Sequence, residues 1–429
     1  MSPTAPQQEP SLTVQAREIF GWIRAGSTRA ARSAVQKLVE AHGGAAVHVL
    51  RAQANAAVYR ESAWHLARPI YAELAPRDRF CRRMLRRADW VCRHADAFDR
   101  LFAARPHQRR VLQRVAKTFP EAVSVERELG PGGLNTAASY KHRLLDPHGA
   151  IRGILFEKVY IGRTPAGFRR VRALHDQTGW SPAFAPAYHG AVRAGPFVST
   201  LHDAIDGSPP PADSWPSVRE ALLEELCRHP YRPRDSARFA VVAQVRNIVG
   251  QLTGFGKVAG TAWRWPLRGA GELPAFVTGR QLRSRLSPHL DADQLDRLDA
   301  AFKPIKRRLA AQPQFIMHGD LHRTQAHYDT RRSGYVLIDW DRWSLEPLGA
   351  GWLPGPDSLT GADTSDGSAD GTDGPAIPAA LSDLAERQGV APADAMLAAA
   401  MWALRQASIR GDSHNARHYT RLALQLVAE

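Results

Sequence analysis

Two short segments between residues 315 and 341 constrain the fold of this chain more than any other feature. The first reads FIMHGDLH over residues 315–322, and the second reads GYVLIDWD over residues 334–341. In each, an apolar run typical of a β-strand leads directly to an aspartate, Asp320 in the first and Asp339 in the second. The spacing predicts a loop, a tight hairpin and a strand that deliver two carboxylates to one site.

Such a pair suits chemistry that must activate a hydroxyl and hold a divalent cation at once. One carboxylate accepts a proton or orients a nucleophile, and the other ligates Mg²⁺ that bridges nucleotide phosphates. Two solvated loop aspartates are the alternative, but the spacing and the strand context favour a paired site.

A second pattern, over residues 121–161, predicts an antiparallel sheet. Residues 122–126 and 135–145 alternate as two strands do, and residues 153–161 form a third. Glycine-bearing turns separate the three strands. We expect them to begin a small β lobe.

Four residues of this sheet are candidates for nucleotide binding. Gly132 and Gly133 lie in the first turn, where backbone amides can approach phosphate oxygens because no Cβ intervenes. Lys158, in the third strand, is the candidate for the ammonium that grips donor phosphates, although an exposed strand lysine is the alternative. Phe156 shares its face and is expected to line the adenine side.

The two acidic segments resemble those of the aminoglycoside phosphotransferase and choline kinase-like family, which has the protein-kinase fold. That family carries H-G-D-x-x-x-x-N followed by I-D-W or I-D-F, and this chain has HGD at 318–320 and IDW at 338–340. The resemblance implies that Asp320 is the catalytic carboxylate and that Asp339 ligates the metal. It also implies ATP and Mg²⁺ as cofactors. We place His318 in the catalytic site as well, where bracing the loop is favoured over transferring protons.

The chain departs from the family pattern at two places. Where the family has Asn, five residues after the catalytic Asp, this chain has Gln325, whose amide oxygen sits on a longer arm. We retain Gln325 as a metal-ligand candidate. The helix expected over residues 165–177 has no Glu to pair with Lys158, so either Asp176 substitutes or Asp339 alone holds the lysine.

The length of 429 residues and the order of the motifs predict an α+β, bilobal, protein-kinase-like fold. We expect an extra, basic helical region at 1–119, a small antiparallel β lobe at 120–207, and a large helical lobe at 208–429. A low-complexity segment near 355–376 is expected to be a flexible acidic insert in the large lobe.

Charge is concentrated at the amino-terminal end. Residues 1–120 contain 21 Lys and Arg against nine Asp and Glu, a net charge of +12 out of +15 for the whole chain. The pattern indicates either a solvated basic face or a surface for an anionic partner, such as the inner face of an anionic membrane. A DNA- or RNA-binding role is disfavoured, because no nucleic-acid-binding motif accompanies the charge.

These features predict an ATP- and Mg²⁺-dependent phosphotransferase, with a hydroxyl of a small molecule or glycan as acceptor. The basic charge favours a sugar of a lipopolysaccharide or cell-surface polysaccharide precursor over an aminoglycoside, which is polycationic. A catalytically impaired, nucleotide-binding pseudokinase is the alternative, motivated by Gln325 and the helix that lacks Glu.

The remaining sequence features bear on compartment. No signal peptide is visible at the amino terminus, and no run approaches the roughly 18 apolar residues of a membrane span. The three cysteines lack metal-binding spacing, which is typical of a reducing compartment. We therefore expect a cytoplasmic protein, with a contact to the inner membrane face as an option, and the Ala- and Arg-rich composition is typical of a bacterial source.

Overall fold

The computed structural model describes residues 11–162, 166–172, 174–175, 182–228, 230, 279–353, 377–410 and 413–428. Asp176 and the acidic segment near 355–376 lie outside these residues. The chain divides into two compact units. The first comprises Met1–Phe168 and Ala187–Ala204, and the second comprises Arg169–Pro186 and Ile205–Glu429.

The first unit opens with six helices. They are α1 Leu12–Arg24, α2 Thr28–Glu61, α3 Trp64–Leu74, α4 Arg79–Arg93, α5 Ala95–Leu101 and α6 Ala104–Val115. Helix α4 shows why they form. Asp78 caps it by accepting a hydrogen bond of 2.7 Å from the Phe80 amide, and Cys81, Met84 and Ala88 recur on one buried face.

The same unit holds a five-stranded antiparallel sheet. Its strands are β1 Ser124–Leu129, β2 Thr136–Leu145, β3 Ile151–Tyr160, β4 Tyr188–Ala194 and β5 Phe197–Asp203. The order across the sheet is β1-β2-β3-β5-β4, so β3 is central. Strand β1 begins at 124 rather than at the expected 122, because a turn closed by Ala122 and Phe119 occupies the preceding residues.

Helix α6 covers one face of this sheet. Val111 and Val115 of the helix pack with Leu144, Leu155 and Leu201 of the strands, and all five side chains are buried. Each such burial contributes roughly 1.5–3 kcal/mol. The amino-terminal helices and the sheet therefore share hydrophobic cores within one unit.

The second unit is mainly helical. A short helix, α7 Ala166–Arg172, begins in the first unit and ends in the second. The other helices of the second unit are α8 Trp215–Leu226, α9 Gly279–Leu286, α10 Ala292–Ala311, α11 Ala379–Arg387, α12 Pro392–Arg410 and α13 Ser413–Ala428. Its short strands are β6 Gln314–Met317, β7 Ala326–Asp329, β8 Gly334–Leu337 and β9 Ser344–Pro347, paired β6 with β9 and β7 with β8. The α+β class, with an antiparallel β lobe and an extra helical region, is confirmed.

Helix α10 leads the chain into the first acidic segment. Asp291 caps it with a side chain that accepts a 2.7 Å hydrogen bond from the Gln294 amide, and the Gln294 side chain accepts one from the Asp291 amide. Leu295, Leu298, Ile305 and Leu309 share its buried face. Among the described residues, no helix is both long and apolar enough to cross a membrane.

Candidate functional site

The loop that carries Asp320 leaves a fully buried strand. All four residues of β6 are buried, and the chain then turns through Gly319, whose φ of 75° lies in the left-handed region. Glycine adopts this conformation without the penalty that a Cβ imposes. Asp320 follows at the half-buried rim, so its carboxylate is held on a short loop with one rigid end.

His318 ties this loop to the second acidic segment. Its Nε2–H donates a 2.6 Å hydrogen bond to the Ile338 carbonyl, and its ring packs edge-on against Trp340 at 4.8 Å between centroids. Burial lowers the pKa of this ring, and the Asp339 and Asp320 charges oppose that effect. The buried ring thus joins the loop before Asp320 to the backbone before Asp339 through its N–H.

Asp339 has an unusual backbone. Its φ of 63° and ψ of 52° place it in the left-handed helical region, and its side chain is exposed. For a residue other than glycine this conformation costs about 1–2 kcal/mol, although Asp and Asn tolerate it best. Trp340 secures the turn, because its Nε1 donates a 2.6 Å hydrogen bond to the Leu337 carbonyl. Strain of this kind is common where a side chain must be aimed at a ligand.

Gln325 lies beside Asp339 across the β7–β8 hairpin. The Ile338 amide donates a 2.8 Å hydrogen bond to the Gln325 carbonyl, one residue before Asp339. The Gln325 side-chain nitrogen lies 3.4 Å from His322 Nε2. Carboxylate and amide oxygens are the ligands that Mg²⁺ prefers. In the second unit the Ile338 backbone is therefore joined to His318, two residues before Asp320, and to Gln325, and it immediately precedes Asp339.

The segment after β5 also supports this loop. His327 Nδ1–H donates a 2.9 Å hydrogen bond to the Gly207 carbonyl, and Tyr328 N–H donates one of 3.1 Å to Ser208. Arg323 donates to the Pro210 carbonyl at 2.9 Å. The segment at 207–210 is thus fixed against the residues that follow Asp320.

Lys158 and Phe156, the candidates on β3, lie in the first unit. Lys158 pairs in register with Ser139 on β2 and Thr200 on β5, so it is held from both sides of the central strand. Its Nζ lies 5.4 Å from the centre of the Tyr160 ring. Phe156 lies two residues earlier on the same face, and both side chains are half-buried.

The glycine turn packs against α2. The Gly132 amide donates a 2.6 Å hydrogen bond to the Tyr59 carbonyl, and a Cβ at position 132 would overlap the Val58 carbonyl oxygen. Gly133 forms an isolated bridge with Thr136. Close packing therefore requires glycine at 132, and its amide already has an acceptor within the chain.

A buried polar network on the opposite face of β3 was not foreseen from the sequence. Glu157 Oε2 lies 2.6 Å from His107 Nε2 and 2.9 Å from His142 Nε2, and Glu157 Oε1 accepts a 2.6 Å hydrogen bond from Ser199. All four residues are buried. Although burial opposes ionisation, the contacts with His107 and His142 hold the pKa of Glu157 to about 2.

This His, His, Glu set has donor atoms suited to a metal, all within 4.8 Å of one another. Arg127 argues against that use. Its guanidinium, which can only donate, lies 3.1 Å from His107 Nδ1. Nδ1 must then accept, so Nε2 carries the proton and faces the carboxylate instead of offering a lone pair. The geometry indicates an ionic hydrogen-bond network.

The sequence spacing of residues 107, 142 and 157 carries no signal for this network. The three residues come from α6, β2 and β3 and meet only when the helix covers the sheet. The one available hint was polarity at a strand position flanked by Leu155 and Val159.

Comparisons with known proteins recover no family model and no curated protein. Similar solved structures include a protein assigned as a fructosamine-3-kinase from Haemophilus somnus 129PT, at 10% identity and a TM-score of 0.40, covering 75% of this chain and 96% of that one. An aminoglycoside-3'-phosphotransferase of type VIII has 16% identity and a TM-score of 0.30, and the match covers 75% of this chain and 99% of that one.

A third is an ethanolamine kinase from Plasmodium vivax, at 10% identity and a TM-score of 0.39, covering 84% of this chain and 94% of that one. All three TM-scores are below 0.5.

Proposed function

We propose that this protein is a phosphotransferase that moves a phosphoryl group from a nucleotide to a hydroxyl of a small molecule or glycan. The observation that carries the proposal is the pair of ties between the two acidic segments. His318 binds the Ile338 carbonyl, and the Ile338 amide binds the Gln325 carbonyl. These ties join the segments that carry Asp320, Gln325 and Asp339, and oxygen donors of this kind support proton acceptance and metal binding in phosphoryl transfer.

In this proposal Asp320 orients the acceptor hydroxyl and accepts its proton as the reaction proceeds. It is suited to the task because its loop is fixed at His318 and by the Arg323 contact to Pro210. Positioning of this kind supplies most of the rate enhancement in phosphoryl transfer.

Asp339 and Gln325 would hold a divalent cation, for which Mg²⁺ is the best match to an oxygen-donor set. The exposed Asp339 carboxylate, on a strained left-handed residue, fits that use. When bound, Mg²⁺ neutralises charge on the transferring phosphate. In the first unit, Lys158 is the candidate for binding the phosphates of ATP, with Gly133 and Phe156 as further candidates.

For the acceptor, we propose a sugar hydroxyl of a precursor presented at an anionic membrane surface. Helix α4 of the first unit carries exposed Arg79, Arg82, Arg83 and Arg86. A basic face of this kind attracts anionic lipid or a phosphorylated glycan and repels a polycation. Inactivation of an aminoglycoside is therefore the lesser alternative.

The experiment that tests the proposal is a transfer screen with labelled ATP, with and without Mg²⁺. Acceptors are sugars, extracted glycolipids, choline and aminoglycosides, and the variants are Asp320→Ala and Lys158→Met. Mg²⁺-dependent transfer by the wild type that Asp320→Ala abolishes supports the proposal. Transfer that both variants retain contradicts it.

A nucleotide-binding pseudokinase is the second candidate. Gln325 in place of Asn and the engaged amide of Gly132 are the observations that favour it. Saturable ATP binding without transfer to any acceptor would establish it over the first proposal.

A further inference from the structure

The turn between β1 and β2 is contacted by three of the amino-terminal helices. Helix α2 accepts a hydrogen bond from the turn: the Gly132 amide donates to the Tyr59 carbonyl at 2.6 Å. The backbones of α2 and the turn approach so closely that only glycine fits at 132. This contact places the carboxyl end of α2, which is kinked at Gly43, directly on the turn.

Helix α3 contributes a buried side chain. Trp64 Nε1 donates a 2.9 Å hydrogen bond to the carbonyl of Thr136, the first residue of β2, and the Trp64 side chain is 1% exposed. Such a hydrogen bond, shielded from water, fixes the backbone orientation at the point where the turn becomes a strand.

Helix α4 contributes Arg87. Its Nη1 donates a 2.8 Å hydrogen bond to the Leu134 carbonyl, in the middle of the turn. The residue before it, Arg86, is exposed, whereas Arg87 is half-buried. Leu134 also packs against the core of the helical region. The arginines of this helix thus divide into an exposed basic face and one that binds the turn.

The amino-terminal helical region also contacts β3 directly. His107, on α6, lies 2.6 Å from the buried carboxylate of Glu157, the residue next to Lys158. Ser199 and His142 hold the same carboxylate from the neighbouring strands. Strand β3 is therefore bound to α6 through Glu157 and His107, on the face opposite Lys158.

We propose that the amino-terminal helical region positions the nucleotide-binding half of the protein, with Arg87 and Trp64 as positioning residues that hold the glycine turn. The inference rests on the proposed function, because it assigns the turn and Lys158 to the phosphate donor. It gives residues 11–115 a role that the motifs alone leave open.

The test compares Arg87→Met with Arg86→Met. Both remove one arginine from α4 and keep an unbranched side chain, but only the first removes the donor to Leu134. The readouts are the Kd for ATP, measured by equilibrium titration, and hydrogen exchange of the amides at 130–136.

We expect Arg87→Met to raise the Kd for ATP about tenfold, which matches the loss of one hydrogen bond of roughly 1–1.5 kcal/mol. Exchange at 130–136 rises in the same variant, and Arg86→Met changes neither quantity. In turnover, the KM for nucleotide rises while the KM for the acceptor stays constant. A merely structural role would lower the active fraction and leave both KM values unchanged.

Arg87→Lys and Trp64→Phe serve as second variants if Arg87→Met does not fold. Lys retains a donor and should restore part of the affinity, whereas Phe removes the contact with Thr136 and should weaken binding. Equal ATP affinity in the wild type and Arg87→Met overturns this inference alone. A wild type that binds no nucleotide overturns the proposed function as well.

Discussion

Asp339 combines an exposed carboxylate with a left-handed backbone, and the two properties can be separated by substitution. Asn tolerates that backbone almost as well as Asp, whereas Ala does not. We expect Asp339→Asn to leave thermal stability nearly unchanged and to lower Mg²⁺-dependent transfer at least a hundredfold, because it removes the charge. Asp339→Ala should lose the same activity and about 1 kcal/mol of stability in addition.

The measurement is the Mg²⁺ dependence of transfer together with the unfolding free energy of both variants. Asp339→Asn with a normal Mg²⁺ response would contradict the metal-ligand role. Equal stability of the two variants would contradict the backbone argument.

The buried network around Glu157 predicts a loss of stability in acid. Burial lowers the pKa of His107 below its usual range, against the pull of the Glu157 carboxylate. As the pH falls below about 6.5, His107 of the unfolded chain therefore binds a proton that His107 of the folded chain does not yet bind, and the free energy of unfolding decreases. Glu157, with a pKa of about 2, adds a further loss between its unfolded pKa near 4.3 and pH 2.

We expect His107→Gln to flatten the dependence of unfolding free energy on pH between 6.5 and 5. The slope should fall by up to about 1.4 kcal/mol per pH unit, the value for one proton. Urea unfolding at several pH values measures this, with the exposed His65→Gln as the matched control. An unchanged slope in His107→Gln would show that His107 takes up its proton equally in both states.

At the residue scale, the sequence predicts those features that depend on residues close to one another in the chain. The spacing of Asp320 and Asp339 predicted a loop and a hairpin between them, and both are local structures, whereas Gln325 became a candidate only through the family resemblance. The network of His107, His142 and Glu157 depends on how α6 covers the sheet, a contact between distant elements that no spacing encodes.

Among the helices, α4 carries its arginines in two different environments. Its sequence predicts a uniformly basic face, but the structure separates Arg87, which donates to Leu134, from the exposed Arg79, Arg83 and Arg86. A test of membrane binding must therefore leave Arg87 intact.

If the exposed face contacts anionic lipid, replacing Arg79, Arg83 and Arg86 by Glu should weaken binding to vesicles that contain about 30% anionic lipid. Each arginine near such a surface contributes about 1 kcal/mol, so a loss of at least tenfold is expected. The matched control replaces Arg297, Lys303 and Arg307, exposed on α10, by Glu, with the same change in net charge. Equal loss in both triple variants would reduce the effect to net charge and contradict a specific α4 surface.

Helix α10 offers a prediction at the same scale. The Asp291 side chain accepts from the Gln294 amide and completes a capping box. Asp291→Ala should lower the unfolding free energy by about 0.5–2 kcal/mol, as measured by urea denaturation. Asp293→Ala, one position inside the helix, should cost only a few tenths, so an equal loss in both would argue against the cap.

The elements themselves were well predicted where a local signal exists. The alternation over residues 122–161 predicted three strands, and the ends of β1, β2 and β3 lie within three residues of the predicted ones. Strand β1 shifted because a turn between Phe119 and Ala122 competes with strand pairing.

For the whole molecule, the sequence predicted a helical region at 1–119 and a β lobe at 120–207, and one compact unit holds the helical region together with residues 120–168 and 187–204 of that lobe. Sequence patterns locate elements but carry no record of which elements share a core. Packing of α6 on β1 to β5, and of α2, α3 and α4 on the glycine turn, arises from tertiary contacts.

In the reaction proposed above, Asp320 acts on the acceptor hydroxyl in a nucleotide-dependent phosphoryl transfer. The most direct measurement is the rate of label transfer from ATP in Asp320→Asn, with ATP affinity measured on the same preparation. We predict a rate at least a hundredfold below the wild type with ATP affinity within about twofold, because general-base and orienting groups contribute 10²–10⁴-fold. A transfer rate equal to that of the wild type, with the same dependence on Mg²⁺, would contradict the claim.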